Sequence, residues 1–153
     1  MLFRSRYIME KQLVDHILAQ HAEADAFEAE APGNWMGRLP GPEQTAYWAD
    51  RAPTGTLAEF KRIELEEDAY YSIAEAYSKS YGRSFNFSSM SDDELEACIK
   101  NACEQIQAEA EAEAAFESAE DQRMNDLAAG LNVDRKTLDR WLDTNPEWFE
   151  RAA

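Results

Sequence analysis

Cysteine, histidine, glycine, proline and positive charge are all scarce in this chain of 153 residues. The two cysteines, Cys98 and Cys103, are five apart in a helical segment and cannot face each other. That excludes a disulfide scaffold and fits reduced thiols in a cytoplasmic setting. The two histidines, His16 and His21, are also five apart and have no cysteine at useful spacing, so no zinc site is legible. No apolar run approaches a membrane span, and no signal peptide is evident. A nucleophile elbow, a phosphate-binding loop and a dinucleotide fingerprint are all missing. No pair of carboxylates stands out as having opposed environments. The chain therefore reads as a protein without enzymatic activity, cofactor, metal or membrane partner.

What is abundant is negative charge. Against 15 basic residues stand 31 acidic ones, a net charge of −16. The apolar and aromatic content is nonetheless that of a folded protein, and the length allows one core plus a smaller appendage. Leu2–Ser5 matches one reading frame of a common sequencing-library adapter, and Met9-Glu-Lys is a more natural start. Residues 1–8 are accordingly read as a non-native leader.

Periodicity gives an all-α class. An amphipathic helix is expected over 10–30, with Leu13, Ile17, Ala24 and Phe27 on its apolar face and Gln20 and His21 interrupting it. The Pro/Gly-rich loop 32–41 carries Trp35, Met36 and Leu39, too apolar for an idle linker. Pro42 is placed to open a short helix bearing Tyr47 and Trp48, which Pro53 and Gly55 end. Thr56–Glu59 forms a capping box, and its helix is expected to run to Tyr81 and stop at Gly82. Phe60, Ile63, Tyr70, Ala74, Tyr77 and Tyr81 supply its apolar face. Residues 83–87 read as a loop. Ser91–Glu94 is a second capping box, for a helix burying Leu95, Ile99, Ala102 and Ile106. The Glu/Ala-rich stretch 107–115 is helix-forming but nearly coreless, an exposed connector.

The most specific pattern is Met124–Leu142. Ala128 is small enough for a close helix crossing, and Asn132 suits a turn that needs positive φ. Val133 follows as the buried turn residue, and Asp134 is a natural N-cap. Leu138 and Trp141 fall three apart on the inner face of the second helix. These positions resemble the helix-turn-helix of phage and bacterial regulators, with Asn132 in place of the usual glycine. The resemblance implies double-stranded DNA as a partner, with half-site symmetry if the protein forms a homodimer, and Arg135, Lys136, Thr137 and Arg140 as contact residues. The continuation Trp141–Phe149 is similar to the extension found in phage terminase small subunits, a third reading.

Charge sets the alternative. Residues 9–118, the acidic helical domain, hold 8 basic and 23 acidic side chains, and the module 119–153 holds 5 and 8. DNA binders ordinarily show a basic face, because counterion release supplies much of their affinity. An acidic helical surface can instead imitate phosphate spacing and occupy the nucleic-acid channel of a basic protein such as a nuclease. Such an anti-defence inhibitor, of the anti-CRISPR or anti-restriction type, would use the helix-turn-helix for autoregulation. Its candidate contact residues are Glu64, Glu66, Glu67, Asp68, Asp92, Asp93, Glu94 and Glu96, with the run Glu109–Glu117 as a further cluster.

Overall fold

A computed structural model describes residues 6–144. Among these, regular structure is entirely helical: α1 (Lys11–Glu30), α2 (Thr45–Arg51), α3 (Leu57–Ala76), α4 (Lys79–Arg83), a 3-10 turn (Phe87–Ser89), α5 (Asp92–Gly130) and α6 (Arg135–Thr144). No described helix is long and apolar enough to cross a membrane. Two compact units divide within α5, residues 1–102 and 103–153.

The first unit is built around Leu13 and Ile17 of α1, Trp48 of α2, Ala52 and Phe60 of α3. Trp48 is fully buried, and its indole N–H donates to the Gly41 carbonyl at 3.0 Å, so the ring brings no unsatisfied donor into the core. Its ring meets Phe60 edge-on at 5.2 Å. Tyr7 and Met9 pack against the same cluster, and the Tyr7 hydroxyl donates to the Ala52 carbonyl at 2.9 Å. Gly55 makes this approach feasible: at φ +70, a Cβ there would lie 2.3 Å from the Ile8 carbonyl oxygen.

Gln20 and His21 break the apolar stripe of α1 for a reason the pattern does not disclose. The Gln20 amide donates to the Gly37 carbonyl at 2.7 Å and accepts from the Leu39 N–H at 3.0 Å. His21 Nε2 lies 2.6 Å from the Leu39 carbonyl oxygen. The loop is thus laid back along the helix, and Leu39 joins the core while Trp35 stays 78% exposed. Phe27, expected to be buried, is 37% exposed.

Three helix ends differ from expectation. Pro42 occupies the second position of a turn closed by the Gln44 N–H on the Gly41 carbonyl, so α2 begins at Thr45. The Thr56 hydroxyl accepts from Glu59 N–H as a cap should, but the Glu59 carboxylate reaches Thr54 instead of Thr56, and Glu10 accepts from the Leu57 N–H. Finally, α3 stops at Ala76. Tyr77 leaves the helical region, and the Ser78 hydroxyl caps α4 by accepting from Tyr81 N–H at 3.1 Å. Gly82 is no stop signal: it is buried in α4, where a Cβ would come within 3.1 Å of the Tyr70 ring. The second capping box is reciprocal, with Ser91 and Glu94 each accepting from the other's N–H.

Candidate nucleic-acid interface

In the second unit, α5 ends in a turn that fixes α6. Asn132 adopts φ +56. Its N–H donates to the Ala129 carbonyl at 3.1 Å, and the Val133 N–H reaches back to the Ala128 carbonyl at 3.0 Å. This pair of bonds is the Schellman termination, with asparagine in the left-handed position that glycine usually takes. Asp134 then caps α6, its carboxylate accepting from the Thr137 N–H at 2.7 Å. That backbone bond, with help from the Thr137 hydroxyl, holds the Asp134 carboxyl below its ordinary value. Ala128 and Leu138 are buried, and Val133 is half-buried. Trp141 departs from expectation at 43% exposed, so Leu138 is the one buried side chain of α6, with Leu142 half-buried beside it in sequence. Residues 145–149, which carry most of the terminase-like extension, lie outside the described residues.

The four expected contact residues separate into two kinds. Lys136 and Arg140 are exposed on α6. Thr137 is half-buried. Arg135 is held within the unit: its guanidinium donates to the Asp121 carboxylate at 2.8 Å, to the Asn125 side-chain oxygen at 3.0 Å and to Asp139 at 2.8 Å. Asp121 and Asn125 lie four apart on one face of α5. That spacing was present in the sequence, but nothing local marked the pair as a seat for an arginine fourteen residues ahead.

The acidic candidates of the first unit are also divided. Arg51 donates to both carboxylate oxygens of Glu67, and this bond holds the Glu67 carboxyl below its usual range. Arg62 gathers Glu66 at 2.9 Å, Asp92, and the carbonyls of Phe87 and Met90, tying α3 to the start of α5. Glu94 serves the capping box. Glu64 is half-buried, and burial pushes its carboxyl above the usual value. Asp68, Asp93 and Glu96 remain as exposed carboxylates. Along α5, every residue from 107 to 119 is exposed, which puts Glu109, Glu111, Glu113 and Glu117 in solvent. Among the described residues no group of histidine, cysteine or carboxylate side chains is arranged to hold a metal ion.

No family model, curated protein or solved structure matches this chain.

Proposed function

We propose that this chain is a regulator of the phage or mobile-element type that reads double-stranded DNA through α6, with its first unit serving as an acidic protein-interaction domain. The observation that carries the reading is the turn at Asn132. A left-handed asparagine, a Schellman pair and an aspartate cap present α6 as a short, strongly amphipathic helix with two cations outward. In this reading Lys136 and Arg140 contact phosphates or base edges, Thr137 assists, and Arg135 is a positioning residue that locks α6 onto Asp121 and Asn125.

A selection of the full-length protein against random duplexes, followed by anisotropy on the winning site across a salt series, tests this. An enriched motif is expected, with a slope of log affinity on log salt near −0.9 for each phosphate contact. Lys136→Ala and Arg140→Ala should each flatten that slope by about 0.9 if the side chain neutralises a phosphate. Absence of any enriched motif would sink the reading.

A second reading rests on the exposed run of α5. There Glu109, Glu111, Glu113 and Glu117 form a solvated acidic stretch suited to a basic protein's nucleic-acid channel. The clusters around Glu64–Asp68 and Asp92–Glu96 favour it less, because Arg51 and Arg62 neutralise Glu66, Glu67 and Asp92. Inhibition of a nuclease that survives replacing those four glutamates by glutamine would dispose of it.

A further inference from the structure

The loop between α1 and α2 is fixed on both sides of its largest side chain, which it leaves in solvent. Before Trp35, the Asn34 N–H donates to the Ala31 carbonyl at 3.2 Å, and the Asn34 side-chain amide donates to the Phe27 carbonyl at 2.9 Å. After it, the Met36 N–H donates to the Glu28 carboxylate at 3.4 Å, and Gln20 clasps Gly37 and Leu39. The Arg38 guanidinium closes the loop onto α1 through Asp25 at 2.5 Å and Glu28 at 2.9 Å. Asn34, Met36 and Leu39 are half-buried in consequence, whereas Trp35 is 78% exposed. An indole is ordinarily buried for most of its area, as that of Trp48 is here. At Trp35 the backbone is held and the ring is left out.

An anchor for a partner needs this kind of order. A tryptophan on a fixed backbone has only two side-chain torsions left to lose when it is covered, and covering it removes a large apolar area from water. The groups around it narrow what covers it. Glu28 accepts from the N–H of the very next residue, and Asp25, though tied to the loop by Arg38, is 71% exposed. Glu23 and Glu30 are exposed near the same end of α1 and have no ion pair among the described residues. From 21 to 43 the only lysine or arginine is Arg38, and it is already shared between Asp25 and Glu28.

A nucleic acid, an anionic membrane or a second copy of this chain at −16 would bring like charge to such a face. A plain apolar side chain would cover the indole and desolvate the carboxylates without pairing them. Arginine satisfies both features. Its flat guanidinium stacks on an indole face while its N–H fork pairs with carboxylates, whereas the ammonium of lysine is a strongly hydrated point charge.

We propose that Trp35, with Asp25, Glu23 and Glu30 around it, binds an arginine-rich segment of a basic partner protein. The inference rests on reading the first unit as an acidic protein-interaction domain, and it is independent of whether α6 reads duplex DNA.

The test uses the full-length protein with isotope-labelled tryptophan, titrated with nona-arginine and separately with nona-lysine while the indole N–H resonances are followed. Loss of one resonance in Trp35→Phe assigns it, and the buried Trp48 is the internal reference. The Trp35 resonance is expected to move saturably with nona-arginine while that of Trp48 stays, and half-saturation should need several-fold more nona-lysine. Trp35→Ala, on an exposed side chain, should keep the melting temperature and weaken nona-arginine binding about 2- to 5-fold, the worth of one exposed cation–π contact. The double replacement Glu23→Gln with Glu30→Gln should make binding less sensitive to salt. A Trp35 resonance that stays still while nona-arginine binds elsewhere overturns the proposal and leaves the reading of an interaction domain in place. An equal response to the two peptides also overturns it, since charge alone would then account for binding. Failure of either peptide to bind overturns the proposal and that reading together.

Discussion

The two units hold themselves together by different means. Residues up to 102 contribute eleven of the buried apolar side chains, including Trp48, Phe60, Leu13, Ile17 and Leu95. From 103 to 144 only Ala128 and Leu138 are buried. What the second unit lacks in apolar burial it replaces with directed contacts: the Schellman pair at Asn132, the Asp134 cap and the Arg135 ion-pair cluster. Apolar burial is non-directional and tolerates repacking, whereas a capped turn depends on a few atoms in fixed geometry. A helix that must present particular side chains to a partner gains more from the second kind of order than from the first.

The largest effect is expected where burial is densest. Trp48→Ala removes a fully buried indole and one of the two N–H donors to the Gly41 carbonyl, a loss of about 3–5 kcal/mol. Since that is a large fraction of a small domain's total stability, urea titration should show the first unit unfolding at a much lower midpoint. Leu138→Ala sharpens the comparison from the other side. Its cost is expected at the lower end of about 2–5 kcal/mol, because a thin core relaxes more readily around a cavity. Hydrogen exchange should localise that loss to α6 and the end of α5. If Leu138→Ala instead raised no exchange rate there, the buried contact would not be what anchors α6.

Asn132 tests the directed contacts by themselves. Glycine adopts φ +56 freely, while a β-branched residue does so only under strain. Asn132→Gly should leave the module intact or slightly stabilise it, and Asn132→Val should cost about 1–2 kcal/mol. The difference between the two variants, read by thermal melting, removes most of what their shared loss of the asparagine side chain contributes.

The legible part of the fold follows the same division. Asn132, Asp134, Ala128 and Leu138 could be placed from sequence because each is a local device: a positive-φ residue, a cap, and small and large apolar positions at helical spacing. The Ser91–Glu94 box and the buried Leu13, Ile17 and Ala24 were legible on the same grounds. The end of α3 was not, since the stripe of tyrosines continues past Ala76 and masks the cap at Ser78, a serine three residues before the N–H it accepts. Long-range pairings were invisible altogether. Nothing near Gln20 announces that it will clasp the backbone of residues 37–39, and nothing near Arg62 announces Asp92 thirty residues away. Those pairings determine which carboxylates remain as exposed charge. Charge counted along the chain therefore overstated the acidic surface around Glu66, Glu67 and Asp92.

Lysine and arginine on α6 offer a finer probe. Arg135→Ala should lower the melting temperature of the second unit by removing donors to Asp121, Asn125 and Asp139, whereas Lys136→Ala, on an exposed side chain, should leave it within error. Equal melting temperatures for the two variants would mean that the Arg135 cluster positions nothing.

The smallest effect concerns two carboxyls three residues apart on α3 that titrate in opposite senses. Glu67 is held below its ordinary value of 4.5 by the bond from Arg51. Its contribution to stability is therefore present above pH 4.5 and is lost as the pH falls through the lowered value. Glu64 is raised above 4.5, chiefly by burial, so its contribution is present below pH 4.5 and is lost as the pH rises through the raised value. Glu64→Gln should accordingly melt higher than wild type at pH 7 and converge with it near pH 4. Glu67→Gln should melt lower at pH 7 and also converge in acid, below the lowered value. Opposite signs at neutral pH from neighbours on one helix would show that environment, and not the count of carboxylates, sets what each charge does in the acidic unit. No resolvable shift in either variant would mean that solvent screening levels the two sites.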